Sequence, residues 1–155
     1  MMFDAKNLTV IFTVAKEDEH FLDDKLANFS DYPIVISRTI GLGKARRECI
    51  DKVSTEYVLV LDLDNVLPDQ YIEDAIMIMK ADTKIAVIAL DYEECIGHYG
   101  FGTSLWKGEM LKKLYDYQDY KGELCECCYL YRKVLQNKYK IETLPYRAIH
   151  NKGSN

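Results

Sequence analysis

Two carboxylates separated by one leucine, Asp62 and Asp64, close the apolar run Tyr57-Val58-Leu59-Val60-Leu61. Such a run reads as a strand buried on both faces of a sheet. Its C-terminal edge is the rim where open α/β sheets hold their ligands. In an extended chain, residues two apart point to the same side, so both carboxylates would face one site. Held close, they repel each other, and a cation between or beside them relieves the repulsion. Hard oxygen donors of this kind suit magnesium or manganese, with phosphate oxygens and water completing the shell. The same pair also reads as solvated loop acids or as a helix cap.

A second candidate is Gly41-Leu42-Gly43-Lys44-Ala45-Arg46-Arg47. A glycine pair before a helix lets backbone amides approach a phosphate, and the helix N-terminus favours that charge. Lys44, Arg46 and Arg47 would add to it, although the motif also reads as a tight turn with solvated basic residues. A third candidate is Glu126, in the first turn of the last helix the pattern predicts. There the helix dipole favours an ionised carboxylate, as a proton acceptor requires, but acids are common at that position. Cys95, His98, Cys125 and Cys127 are conceivable zinc ligands whose spacing matches no familiar set.

Positioning these groups requires a layered scaffold. Residues 8–14, 34–36, 57–61 and 84–90 read as strands. Leu22, Leu26 and Phe29 mark one helix, and Ala45, Cys49 and Val53 another. Pro68-Asp69 suits the first turn of a third, with Ile72, Ala75, Ile76 and Met79 on its buried face. Met77 and Met79 together read as core filling. Strand–helix–strand units with short connections predict a sheet that is parallel over much of its width. Gly97, Gly100 and Gly102 suggest bends and close backbone approach. Residues 106–120 read as a helix carrying Trp106, Tyr115, Tyr117 and Tyr120, which covers the core or else forms an acceptor-binding or membrane-adsorbing face. A last helix from about Glu123 places Leu124, Cys127, Cys128, Tyr131, Val134 and Leu135 on its apolar stripe and Glu126 opposite. Ile141 to Pro145 reads as a final short strand.

The 155 residues imply one domain, expected over 1–150 with a polar tail at 151–155. With 48% hydrophobic and 29% charged residues, the composition is ordinary for a globular chain. A net charge of −5 argues against a nucleic-acid partner. No apolar run reaches the roughly 20 residues that span a bilayer, and no secretory signal is visible at the start. Five irregularly spaced cysteines suit a reducing compartment, and the cytoplasm is the expected one.

The order of these elements resembles glycosyltransferase family 2, the nucleotide-sugar transferases of A-type fold. Val10-Ile11-Phe12-Thr13 is similar to that family's opening strand, whose threonine borders the nucleotide. Gly41 to Arg47, Glu56-Tyr57 and Asp62-Leu63-Asp64 resemble the run from the glycine/Ala-Arg helix into the Asp-x-Asp motif, and Leu67-Pro68-Asp69 the helix after it. Glu126, ahead of Arg132, Tyr139-Lys140-Ile141 and Leu144-Pro145, falls where the family keeps its catalytic base. His150, before Gly153-Ser154, looks like the histidine that closes some of its metal sites. The chain departs from the pattern in reading Cys125-Glu126 for Glu-Asp, in Ser37-Arg38 for an aspartate after the second strand, and in its short length.

The resemblance implies a single Rossmann-like α/β domain with a mostly parallel central sheet flanked by helices. It implies metal-dependent, inverting transfer from a nucleotide-diphosphate sugar to an acceptor hydroxyl on a glycan, lipid or protein. In that reading Asp64 and His150 hold Mn2+ or Mg2+, and Asp62 bonds the ribose or donor sugar. Thr13, Lys44 and Arg46 contact the nucleotide, and Glu126 is the base. A homo-oligomer is left open. Two alternatives stand beside it: a catalytically inactive nucleotide-sugar-binding module, and a haloacid dehalogenase-like phosphatase using Asp62 as nucleophile. The second family normally places its Asp-x-Asp motif near the N-terminus.

Overall fold

A computed structural model of the chain describes residues 3–92, 95–116 and 125–150, with the side chains of 92–99 outside the description. Six strands form the central sheet in the order β2-β1-β3-β6-β5-β7. They are β1 (Leu8–Thr13), β2 (Ile34–Ser37), β3 (Tyr57–Leu61), β5 (Ile85–Tyr92), β6 (Cys95–Lys107) and β7 (Lys140–Glu142). β1 runs parallel to β2 and β3, and β5 parallel to β7. β6 is antiparallel to both its neighbours, β3 and β5. A second, two-stranded sheet pairs β4 (Asn65–Val66) antiparallel with β8 (Ile149–His150).

Alternation along the strands sends side chains to two cores. Leu59 and Leu61 of β3 join Val10, Phe12, Ile88 and Leu90 on one face, covered by α1 (Leu22–Asn28) and α3 (Tyr71–Ala81). Val58 and Val60 point the other way, joining Ile11, Val87 and Ala89. That face is covered by α2 (Leu42–Asp51), α4 (Gly108–Leu114) and α5 (Glu126–Gln136). Both faces of β3 are therefore dry, as its unbroken apolar run requires.

The expected strand–helix–strand unit exists, but β5 does not pair with β3. The chain turns back after β5, and β6 fills the position between them. The glycine-rich stretch read as bends is the first part of that strand. Residues 106–120 are not one helix: Trp106 and Lys107 end β6, α4 occupies Gly108–Leu114, and Tyr117 and Tyr120 lie outside the described residues. Trp106 and Tyr115 are both core. α3 begins at Tyr71, after the turn that contains Pro68 and Asp69. Met79 is buried there but Met77 is 52% exposed, so only one of the two methionines fills the core.

The α5 stripe is also rotated from the expected one. Leu130, Tyr131 and Val134 are buried with Glu126, whereas Cys128 and Leu135 are exposed. Leu124 lies outside the described residues. Glu126 thus faces inward with the apolar stripe and not opposite it, because a buried cation waits for it there.

Candidate active site

The Asp-x-Asp segment leaves β3 through a tight turn. Asn65 N–H donates to the Asp62 carbonyl at 3.0 Å, and Asp62 N–H to the Gly102 carbonyl of β6 at 2.9 Å. The chain is no longer extended at Leu63 and Asp64, so the two carboxylates face one pocket by way of the turn and not by strand alternation. The buried Asn65 side chain locks the turn from beneath, donating to the Gly102 carbonyl at 3.1 Å. Lys25 Nζ, from α1, donates to the Asn65 carbonyl. Burial lowers the Lys25 pKa, against the opposing charge of Asp64. Gly102 must lack a side chain, since a Cβ there would lie 2.0 Å from Asp62 Oδ2.

Arg46 is the hub of the site and is 1% exposed. Its Nη2 donates to Asp62 Oδ1 at 2.7 Å and its Nη1 to Thr13 Oγ1 at 3.0 Å. Its Nε and Nη2 reach Glu126 Oε2 and Oε1 at 3.4 Å. The guanidinium lies over the Phe101 ring, 5.1 Å from its centroid, a cation–π contact. Burial disfavours the cation, but the Asp62 and Glu126 carboxylates outweigh it and hold the Arg46 pKa above its ordinary value. Tyr115 Oη donates to Glu126 Oε2 at 2.7 Å, and its ring stacks on Phe101.

Asp64 meets His150, whose Nε2 is 2.6 Å from Asp64 Oδ2. The small second sheet brings them together, with Asn65 registered opposite His150. Both side chains keep about a third of their surface open, 28% for Asp64 and 31% for His150.

Thr13, Arg46, Asp62, Asp64 and Glu126 all line one cavity of about 900 Å³ at the C-terminal ends of β1 and β3. The N-terminus of α2 opens onto it, beginning at Gly41, whose φ of 102° is one that only glycine adopts freely. Lys44 is exposed and does not line the cavity. The walls carry six carboxylates against Lys16, Arg38 and Arg46. Of those cations Arg46 is already paired with Asp62 and Glu126, and Arg38 with Glu19 at 2.7 Å. Burial, then the charges of Asp64, Glu17 and Asp62, push the Asp18 carboxyl above its usual value.

Among the described residues, no group of three or more His, Cys, Asp or Glu side chains is arranged around a point that a metal would fill. The pair Asp64 and His150 nonetheless fits a hard divalent cation. Its oxygen and imidazole donors converge, Asp18 adds negative charge nearby, and both side chains stay partly open to phosphate and water. The zinc set of Cys95, His98, Cys125 and Cys127 involves two side chains outside the described ones. Tyr115, expected to cover the core or to form an acceptor-binding face, is buried and bonded to Glu126; no local pattern in the sequence marks Asn65, Gly102 or Lys25 as supports of the acids.

Three coupled features, the sheet with its reversed β6, the acidic turn after β3 and the carboxylate opening α5, define a glycosyltransferase A-type fold. The family model for "Glycosyl transferase family 2" matches residues 21–138, and the chain belongs to that family. No curated protein sequence matches it. Among solved structures, a mannosyltransferase from Pyrobaculum calidifontis, in complex with GDP-Man and Mn2+, superposes with a TM-score of 0.70 at 13% identity, over 96% of this chain and 58% of that one. The S. aureus protein TarS 1-349, in complex with UDP-GlcNAc, gives 0.68 at 14% identity, over 96% and 59%. A197 from STIV gives 0.55 at 15% identity, over 89% and 81%. The chain thus spans less than two-thirds of the first two proteins.

Proposed function

We propose that the chain transfers a glycosyl group from a nucleoside-diphosphate sugar to an acceptor hydroxyl, in one inverting displacement that depends on a divalent metal. The observation that carries this reading is the meeting of Asp62 and Glu126 on Arg46 in the wall of the cavity, beside the Asp64–His150 pair. The solved neighbours captured with GDP-Man and Mn2+ and with UDP-GlcNAc support the class of donor.

In this reading the nucleotide lies along the β1 and β3 ends, with Thr13 and the α2 N-terminus bordering it. Arg46, held by Asp62, Glu126 and Thr13, organises the nucleotide side of the cavity. Asp62, fixed on one oxygen by Arg46, turns the other toward the ribose or donor sugar. Asp64 and His150 would hold the metal, which when bound offsets charge growing on the leaving phosphate. Glu126 takes the acceptor's hydroxyl proton while that oxygen bonds to the anomeric carbon and the bond to the phosphate oxygen breaks. Arg46 balances the negative charge of Glu126, and Tyr115 fixes its orientation.

Two measurements on Glu126→Gln test the assignment. The rate of transfer should fall roughly 10²–10⁴-fold, while donor affinity with manganese, read by calorimetry, stays close to that of the unaltered chain. Near-normal turnover would remove Glu126 from the mechanism. Donor binding with no turnover in the unaltered chain would favour an inactive sugar-nucleotide-binding module.

A further inference from the structure

We infer that Cys125 and Cys128 are a reversible dithiol–disulfide pair at the lip of the cavity, open to exchange with small disulfides such as oxidised glutathione. Cys125 caps α5 and lines the cavity, and both cysteines are exposed. Cys128 lies three residues on, in the first turn, and its N–H donates to Cys125 Sγ at 3.4 Å. A Cys-x-x-Cys pair at a helix N-terminus is an arrangement suited to thiol exchange.

Geometry allows the bond. Side chains three apart on a helix hold their Cβ atoms about 5–6 Å apart, and a disulfide needs about 3.5–4.5 Å. The cap residue has extended backbone, with φ −64° and ψ 158°. It lies outside the helical ladder and can close the difference by a small torsional change.

The other cysteines with described side chains are poor candidates. Cys49 is buried, and burial pushes its thiol up to about 11. Burial likewise pushes the Cys127 thiol up to about 12, and its sulfur already accepts the Phe101 N–H at 3.2 Å.

Exchange proceeds in two balanced steps. The Cys125 sulfur, as thiolate, attacks one sulfur of the small disulfide and expels the other half as a thiolate, leaving a mixed disulfide. Cys128, as thiolate, then attacks Cys125 Sγ and expels the second half. The protein loses two protons and two electrons, and the small disulfide becomes two thiols. A hydrogen bond to Cys125, and then burial, raise the Cys128 pKa. Glu126 and Cys127 lie inside the loop the bond closes, so the pair's oxidation state is written into the cavity wall.

The test uses the full chain, equilibrated in buffers of varying reduced-to-oxidised glutathione ratio, quenched by alkylation and mapped by peptide fragmentation. The expected result is loss of two alkylatable thiols per chain and a Cys125–Cys128 link, reversed by dithiothreitol. Cys128→Ala should instead retain glutathione on Cys125, and Cys125→Ala should give neither product. Absence of the link, a link from Cys125 to Cys95 or Cys127, or an unreactive Cys125 in Cys128→Ala would overturn the inference. Because every readout is covalent, its failure stays separate from a failure of the transfer reading.

Discussion

At the scale of single residues, Arg46 decides how the site holds together. It is almost wholly buried and joins Asp62, Glu126 and Thr13, groups from three separate stretches of the chain. Removing one member of a buried ion cluster leaves the others uncompensated, at about 3–5 kcal/mol. Asp62 keeps 36% of its side-chain surface open and can regain some hydration. Arg46→Met should therefore lower stability by about 3 kcal/mol, read as a shift in the urea midpoint at unchanged slope. Adding Glu126→Gln to Arg46→Met should recover part of that loss, since the stranded charge is then gone. If the two changes simply add, Glu126 is not coupled to Arg46. The acids themselves were legible in the sequence, because carboxylates at a strand edge and in a helix's first turn are local patterns. Arg46 was legible only as a basic residue near a nucleotide. Its burial follows from three distant segments converging, which no local spacing encodes.

At the scale of elements, strands with continuous apolar runs were easy to read, and β6 was not. Its central residues Thr103 and Ser104 are polar yet wholly buried. Thr103 Oγ1 donates to the Leu90 carbonyl at 3.2 Å, and Trp106 Nε1 to Ser104 Oγ at 2.8 Å. Hydroxyls satisfied in this way cost little inside a sheet, but they erase the apolar signature on which strand recognition depends. The Asp-x-Asp turn hangs from this strand through Gly102, so the hidden element is also the one that sets the site. β8 stands apart from the main sheet. Among the described residues it pairs with β4 alone, and it carries His150 to Asp64. A chain ending at Ala148 keeps every strand of the main sheet and loses that histidine. It should fold, with circular dichroism like that of the whole chain, but bind manganese in the presence of a nucleoside diphosphate at least tenfold more weakly. Unchanged manganese affinity would take His150 out of the metal site.

At the scale of the whole molecule, a net charge of −5 is concentrated in part around one cavity, and folding has to tolerate it. Among the described residues, no helix is long and apolar enough to cross a membrane. Several carboxylates are held below their ordinary values: Glu19, in the cavity wall, by a hydrogen bond from Arg38, Glu48 by those from Thr39 and Ser37, Asp82 by that from Lys140. A depressed folded pKa gives stability that is present above the unfolded value and lost as pH falls through the folded one. Asp18 works in the other direction. Burial first, then Asp64, raise it above 3.8, so the folded chain holds that proton more tightly than the unfolded chain does. As pH rises past 3.8 the unfolded state ionises first, and the folded state loses ground until Asp18 itself has titrated. Asp18→Asn removes this penalty. Its melting temperature should match the unaltered chain's below pH 3.8 and exceed it at neutral pH. Manganese with a nucleoside diphosphate, by screening Asp64, should narrow the gap at neutral pH. A difference independent of pH, or one that favours the unaltered chain at pH 7, would mean that Asp18 is not crowded by the acids of the cavity.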